Sequence, residues 1–335
     1  MAPPAEADPS RPPEVPDQEP TLLAVPNVSE GRNPGVVAAV GKAITGGLPA
    51  DASLTGQPIK LLDVHFDRDH GRSVFTIAGR AGTVAEAVLR CGREAIQHID
   101  VMGHDARRGQ HPHVGALDVA PVVYLRPQDR GAACAEALRL ADMIGNELQV
   151  PVLLYGELTA EEHGGAGRSR AELRRGGPAA LAARLQAGAE GAANGDGPLR
   201  PDFGPSHLHA TAGATLVAAR PPLVAFNLQL DKPATLADAG RIAVLIREGG
   251  PQGMLGLRAI AVELSGGIPQ VSMNVERPFE LPLVDIYRAV ARHARVASAQ
   301  LVGLAPKAAF DGFPADVPIP GFDPGRHLIE NALAR

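Results

Sequence analysis

The chain has 335 residues, 45% of them hydrophobic and 21% charged, with 32 Lys+Arg against 37 Asp+Glu for a formal net charge of -5. Such a balance suits one to three folded domains and argues against a nucleic-acid partner, since basic residues are scattered apart from a local patch at Arg168, Arg170, Arg174 and Arg175. Two cysteines, Cys91 and Cys134, are too few for a disulfide framework or a thiolate metal site. There is no basic-then-apolar leader, and no apolar run reaches the roughly 18 residues of a bilayer span, so a cytoplasmic protein with no membrane partner is expected.

Residues 1–20 are rich in proline and acids and poor in large apolar side chains, which predicts a disordered tail. TLLAVPNVS then reads as a strand. Asn33 caps a helix that has Pro34 at its first position, Val37, Val40 and Ile44 on one face, and Gly46 as its stop. PIKLLDVHF and RSVFTIAG are strands separated by a polar turn containing Asp67, Asp69, His70 and Gly71. Apolar residues recur at helical spacing from Thr83 to His98, and ALDVAPVVYL is a further strand, which completes a βαββαβ order. A helix over about 132–148 leads to the strand VPVLLYG. The Gly-, Ala- and Arg-rich segment over about 163–200 reads as an insert, with a helix-like centre (AALAARLQA) between flexible flanks that include GAANGDGP.

The second half repeats the order. PPLVAFNLQL is a strand, TLADAGRIAVLIREGG a helix, LGLRAIAVEL and IPQVSMNVE strands, PLVDIYRAVARHARV a helix and SAQLVGLAP a strand. The pattern predicts an α/β (α+β) fold of two tandem ferredoxin-like subdomains, each a mixed or antiparallel sheet with helices on one face. The first spans 21–222 with its insert, the second 223–315, and 316–335 is a C-terminal extension. A cleft between two such units is a natural ligand site.

His111 and His113 flank Pro112 at the mouth of the ALDVAPVV strand, after a loop holding Gly103, His104, Arg107, Arg108 and Gly109. An imidazole at such a strand mouth suits general acid or base work, although a surface histidine bonded to its own loop fits the spacing as well. His65, His104, His111 and His113 are potential metal ligands, but no HExxH pattern or cysteine pair accompanies them and no metal is expected. Neither a phosphate-cradling glycine motif nor a GxSxG elbow occurs. Arg32 and Arg72 are candidate carboxylate binders, and Asn27 and Asn227 stand at strand ends where an amide can face the cleft. Asp118 lies inside an apolar strand, where an unpaired charge is costly, so it needs a partner.

VPNVSEGRNP, LLDVHFDRDHGRSVFT, GQHPHVGALDVAP, VPVLLYGE, RPDFGPSHLHATAGAT, LVAFNLQL, QVSMNV and QLVGLAP, in that order from about Leu22 to about Phe313, resemble successive motifs of the glutamate formimidoyltransferase family. The resemblance implies a tandem of two α/β subdomains and transfer of a formimidoyl group from N-formimidoyl-L-glutamate to N5 of tetrahydrofolate as co-substrate, a step of histidine degradation. It also implies a homodimer, and a chain without the separate cyclodeaminase domain. It makes His111, in the family's Gly-Glu-His-Pro position, the catalytic residue that takes the excess proton and returns it to the departing nitrogen. The folate-contacting stretch falls on Gly204, Pro205, Ser206, His207, Leu208, His209, Ala210, Thr211, Ala212 and Gly213.

The chain departs from the family's pattern at His65 and Gln110, where an acidic residue is usual; together with Arg72 and Asn27 these are the remaining expected substrate contacts. Loss of two carboxylates is expected to weaken binding of a cationic donor or to favour a neutral formyl group, as in 5-formyltetrahydrofolate metabolism. The further alternative is a folate-binding protein without catalysis.

Overall fold

A computed structural model describes residues 20–46, 59–103, 110–160, 167–189 and 199–335. The expected disordered tail, apart from Pro20, lies outside these residues, as do His104, Arg107, Arg108, Gly109 and the GAANGDGP flank of the insert.

The strand expected from TLLAVPNVS is two strands, β1 (Thr21–Ala24) and β2 (Asn27–Val28). Pro26 has no N–H to give to a ladder and lies at the break. Helix α1 (Pro34–Ile44) starts where expected, its Asn33 side chain accepting from the N–H groups of Gly35 and Val36 at 3.0 and 3.3 Å. Next come β3 (Ile59–Asp67), β4 (Arg72–Arg80), α2 (Val84–His98), β5 (Leu117–Tyr124), α3 (Arg130–Glu147) and β6 (Val152–Leu154). The insert is more ordered than its composition suggests. It forms α4 (Arg170–Arg174), closed by a capping box between Ser169 and Glu172, and α5 (Gly177–Ala189).

A further strand without a counterpart among the expected elements, β7 (Thr215–Arg220), completes the first sheet. In that seven-stranded sheet β3 pairs with β4, β4 with β1 and β2, and these with β5, all antiparallel. β5, β7 and β6 then run parallel. The sheet is thus a ferredoxin-like βαββαβ unit extended by two parallel strands.

The second unit keeps the minimal form. β8 (Val224–Leu230), α6 (Leu236–Ile246), β9 (Leu257–Leu264), β10 (Ile268–Val275), α7 (Leu283–Ala291) and β11 (Val296–Val302) build an antiparallel sheet in the order β11-β8-β10-β9.

Period-2 alternation decides what each sheet shows the other. In the first, Leu22, Phe75, Ile77 and Val122 pack with α1, α2 and α3 in one core, while Leu23, Val74 and Val123 point the opposite way and line the interface between the sheets. In the second, Phe226, Leu228, Val271 and Met273 pack with α6 and α7, which leaves Asn227 and Ser272 facing the first sheet. One expectation needs correction. Helices do not cover only one face of the first sheet, because Leu173, Leu181 and Leu185 of α4 and α5 pack on the opposite face against Val119, Leu153 and Leu216. Their apolar residues would otherwise have no surface on which to bury, and that opposite placement brings the basic patch of the insert to the mouth of the cleft.

The C-terminal residues tie the units together. Val317 belongs to the second core, and α8 (Pro324–His327) leads to α9 (Ile329–Ala334). Ile329 and Ala332 of α9 pack on Leu23, Ala78 and Val123 of the first sheet.

Candidate active site

Two adjoining cavities lie between the sheets. The narrower, about 100 Å³, is enclosed by β3, β4 and β5 on one side and β8 and β10 on the other; the wider, about 1600 Å³, opens beside α4. They share His111, Arg170, Arg220, Leu223, Ser272 and Asn274. His111 therefore stands at the junction of both.

The arrangement around His111 begins with a buried ion triad. Asp118 on β5 is 0% exposed. One of its carboxylate oxygens accepts from the guanidinium groups of both Arg72 and Arg174, and the other accepts from the Val114 N–H at 2.8 Å. Burial opposes its ionisation, but Arg174 and Arg72 outweigh this and hold its pKa below the ordinary carboxyl value. The carboxylate is thus fully bonded and serves to fix two arginines. Arg72 uses its other nitrogen on His111, 2.9 Å from Nδ1. Nδ1 also lies 3.0 Å from the Pro112 carbonyl oxygen and Nε2 lies 3.3 Å from the same Arg72 nitrogen; a guanidinium only donates, so one of the two ring nitrogens must accept from it, which requires the unprotonated form. Burial, then Arg72 and Arg174, push the His111 pKa well below the usual imidazole value. His111 is consequently neutral at physiological pH.

Local folding explains how these side chains meet. Gly31, in the first motif, backs the β3–β4 turn so closely that a Cβ there would lie 2.0 Å from the Asp67 carbonyl oxygen and 2.5 Å from the Arg72 nitrogen. Any side chain at Gly31 would push the turn that carries Arg72. Arg168 donates to both Asp202 oxygens at 2.5 Å, anchoring the start of α4. From that anchor Arg170 and Arg174, four residues apart, share one helical face toward the cavity. Arg170 stacks over the Tyr155 ring at 6.0 Å, and Arg220 at the end of β7 donates to the Pro221 carbonyl at 2.9 Å. Burial pushes the Arg220 pKa down to about 10, still cationic at neutral pH.

The opposite end of the narrow cavity has a different character. His65 and Asp67, two residues apart on β3, both face it, with His70 beside them. His70 Nδ1 lies 3.1 Å from Asp67, and the buried Nε2 atoms of His65 and His70 have no hydrogen-bond partner. Burial lowers the His65 pKa despite the Asp63 and Asp67 charges. Asp67 is held below the ordinary carboxyl value, burial being overcome by its bonds from His70. The cavity therefore holds a carboxylate beside these imidazoles. The second sheet contributes neutral groups only, with Asn227 donating to Gln300 at 2.8 Å.

The structure brings His111, His65, Arg72 and Asn27 together around the narrow cavity. Gln110 lines the wide one but turns its amide away from the imidazole. Its nitrogen donates to the Glu263 carbonyl and its oxygen accepts from the Glu263 N–H at 3.1 Å, across the boundary between the units. Residues Gly204 to Gly213 line neither cavity. Gly204 packs on Gly145, Ala212 joins the first core, and Gly213 bridges to Gly115. Arg32 donates to the Arg68 carbonyl at 3.1 Å, outside the cavities. Arg170, Arg174 and Arg220 were missed as site residues. The only sequence signal for the first two was the local basic patch, and Arg220 had none. Among the described residues no three His, Cys, Asp or Glu side chains converge as a metal site would require, and no helix is long and apolar enough to cross a membrane.

Paired ferredoxin-like sheets thus enclose a neutral imidazole beside a cluster of guanidiniums, an arrangement suited to acid–base work on a small anionic molecule. Residues 21–220 match the family described as the formiminotransferase domain, N-terminal subdomain, and the chain belongs to that family. It is 33% identical over 317 residues to a glutamate formimidoyltransferase of Streptococcus pyogenes serotype M1, covering 92% of this chain and 97% of that one. It is 30% identical over 318 residues to a glutamate formimidoyltransferase of Thermoplasma acidophilum, covering 93% and 96%. Over 297 residues it is 37% identical to the formimidoyltransferase-cyclodeaminase of Sus scrofa, covering 84% of this chain and 49% of that one. The chain thus spans about half the length of the formimidoyltransferase-cyclodeaminases it matches.

Proposed function

We propose that the protein is a folate-dependent glutamate formimidoyltransferase, moving a formimidoyl group from N-formimidoyl-L-glutamate to N5 of tetrahydrofolate. The observation that carries this reading is the neutral His111 at the junction of the two cavities, beside guanidiniums that outnumber the one carboxylate pairing with them. Both substrates bear carboxylates, which Arg170 and Arg220 suit as charge-assisted donors. Asp67 offers an ionised oxygen to the amidine-like group at the other end of the narrow cavity. When bound, tetrahydrofolate supplies the nucleophilic nitrogen. His111, unprotonated, accepts the proton released from that nitrogen as the new bond forms. The facing sheets hold donor and acceptor in one enclosed space, which supplies the proximity advantage. A cytoplasmic homodimer without metal remains part of the proposal.

The test is direct: purified protein should form glutamate and 5-formimidoyltetrahydrofolate from the two substrates, and the His111→Ala variant should not. Turnover of 5-formyltetrahydrofolate with none of formimidoylglutamate would replace this reading with the formyl one. Folate binding without turnover of any donor would make it a binding protein.

A further inference from the structure

The transfer needs a proton at a second place, the nitrogen of the departing glutamate, and a second imidazole faces the narrow cavity. His70 is only 7% exposed. Its Nδ1 is paired with Asp67 at 3.1 Å, while its buried Nε2 has no partner. The fold fixes that orientation firmly. The same Asp67 oxygen accepts the backbone N–H groups of Asp69 and His70 at 2.9 Å, closing the turn, and Gln300 of β11 donates to the other oxygen at 3.3 Å. With Nδ1–H held by a carboxylate, Nε2 is the atom left to exchange a proton with a ligand. Unpaired buried polar atoms are costly, and a bound substrate would supply the missing partner. The His70 ring centre lies 6.3 Å from that of His111, close enough for both rings to reach substituents of one carbon.

We infer that His70, oriented by Asp67, is a second proton-transfer residue, delivering a proton from Nε2 to the departing nitrogen of the donor. This rests on the formimidoyl-transfer reading above. As the bond from the folate nitrogen to the formimidoyl carbon forms, the nitrogen's proton passes to His111. As the bond from that carbon to the glutamate nitrogen breaks, its electron pair stays on nitrogen and the His70 proton joins it. One ring gains a proton, the other loses one, and exchange with solvent restores both; no oxidant or reductant is involved. The surroundings divide the work. His111 stands against Arg72 and within the field of Arg174, which keep it a base, whereas the carboxylate of Asp67 holds Nδ1 of His70 and leaves Nε2 aimed at the cavity as the exchanging atom. The titratable groups facing His70 are Asp67 and His65 on β3, Arg72 on β4 and His111. From the second unit the cavity receives only neutral polar groups, Asn227, Ser272 and Asn274, with Gln300 behind Asp67.

The experiment measures kcat and KM across pH for the unaltered protein and for His70→Asn, whose amide N–H takes the place of Nδ1–H toward Asp67 while Nε2 is deleted. The expected result is a fall in kcat of about 100-fold or more, with KM for folate changed little. The alkaline limb of the profile should disappear, and the acid limb set by His111 should stay. Asp67→Asn, which leaves both rings in place, should lower kcat less and displace the same alkaline limb, so the test does not depend on one variant folding. Full kcat with both limbs intact in His70→Asn overturns this role while leaving the His111 reading untouched. Inactivity of the unaltered protein with formimidoylglutamate overturns the reaction assignment and this role with it.

Discussion

The two sheets share one topology and differ in almost everything they show each other. Across the narrow cavity the first shows His65, Asp67, His70 and Arg72, aided by His111 and by arginines from α4 and β7, whereas the second shows Asn227, Ser272 and Asn274 and brings charge only to the wide cavity, through Arg258, Glu276, Arg277 and Glu280. Every titratable group of the narrow cavity thus comes from one unit. Repeating a fold does not repeat its lining; in the narrow cavity the first unit supplies the titratable groups and the second a neutral wall that offers amides. This asymmetry has a structural counterpart. The first sheet gains two parallel strands and a pair of helices on its opposite face, and these bring Arg170, Arg174 and Arg220 to the site. The second sheet has no such additions.

Removing the titratable centre should have the largest effect. His111→Ala should lower kcat by about 10²–10⁴-fold, the usual worth of a positioned proton acceptor, in a steady-state assay. Because its pKa is depressed, the acid limb of kcat/KM in the unaltered protein should lie below the ordinary imidazole value of about 6.5. Neutralising Arg174 as Arg174→Met should raise that limb, since one of the charges opposing protonation is gone. The next largest effect is on stability. Asp118→Ala leaves two buried guanidiniums without their carboxylate and should cost about 3–5 kcal/mol, read by denaturant unfolding. The folded-state pKa of Asp118 is depressed, so its contribution is present above the unfolded value of about 3.9 and is lost as pH falls from there toward the folded value. Unfolding free energy of the unaltered protein should accordingly decline on acidification in that range, and that of Asp118→Ala should decline less.

On the neutral side the expected effects are smaller. Asn227→Leu removes an amide from the wall and its bond to Gln300, and should raise KM for folate several-fold while leaving the pH profile in place. A displaced limb would show that the second unit takes part in proton transfer after all. Arg170→Met should raise KM for the carboxylate-bearing substrates without moving kcat more than a few-fold, because the residue binds charge and does not exchange a proton.

The sequence made the tandem βαββαβ order and His111 legible, since periodicity, the Asn33 cap and short motifs are local signals. Three features were not local. Leu173, Leu181 and Leu185 lie in a segment whose glycines and arginines mask the spacing of its apolar positions, so where they bury was not readable. The Arg72–Asp118–Arg174 triad joins residues up to 102 positions apart, from Arg72 on β4 to Arg174 on α4, and only the cost of an unpaired charge at Asp118 hinted at it. Gly204 and Gly213 look like the glycines of a ligand loop, and in the structure their backbones approach Gly145 and Gly115. Glycines that permit close approach look alike in sequence whether the approaching group is a ligand or another strand.

Gln110 makes the finest test of the comparison, because the two readings of it predict different things. If the amide matters as a missing charge beside the reacting carbon, Gln110→Glu should improve use of the cationic formimidoyl donor. Its geometry argues otherwise. The side chain spends both its donor and its acceptor on the backbone of Glu263, beside the contact of Asp69 with Ser265, and so acts as a clasp between the units. A carboxylate accepts but cannot donate, so Gln110→Glu would keep the bond from the Glu263 N–H and set an oxygen against the Glu263 carbonyl. The expected outcome is a loss of no more than about 0.5–1.5 kcal/mol in stability, the net worth of one exposed hydrogen bond, with the ratio of kcat/KM for formimidoyl and formyl donors unchanged. An altered donor ratio at unchanged stability would return Gln110 to the substrate, and the boundary between a charged sheet and a neutral one would have to be redrawn to include it.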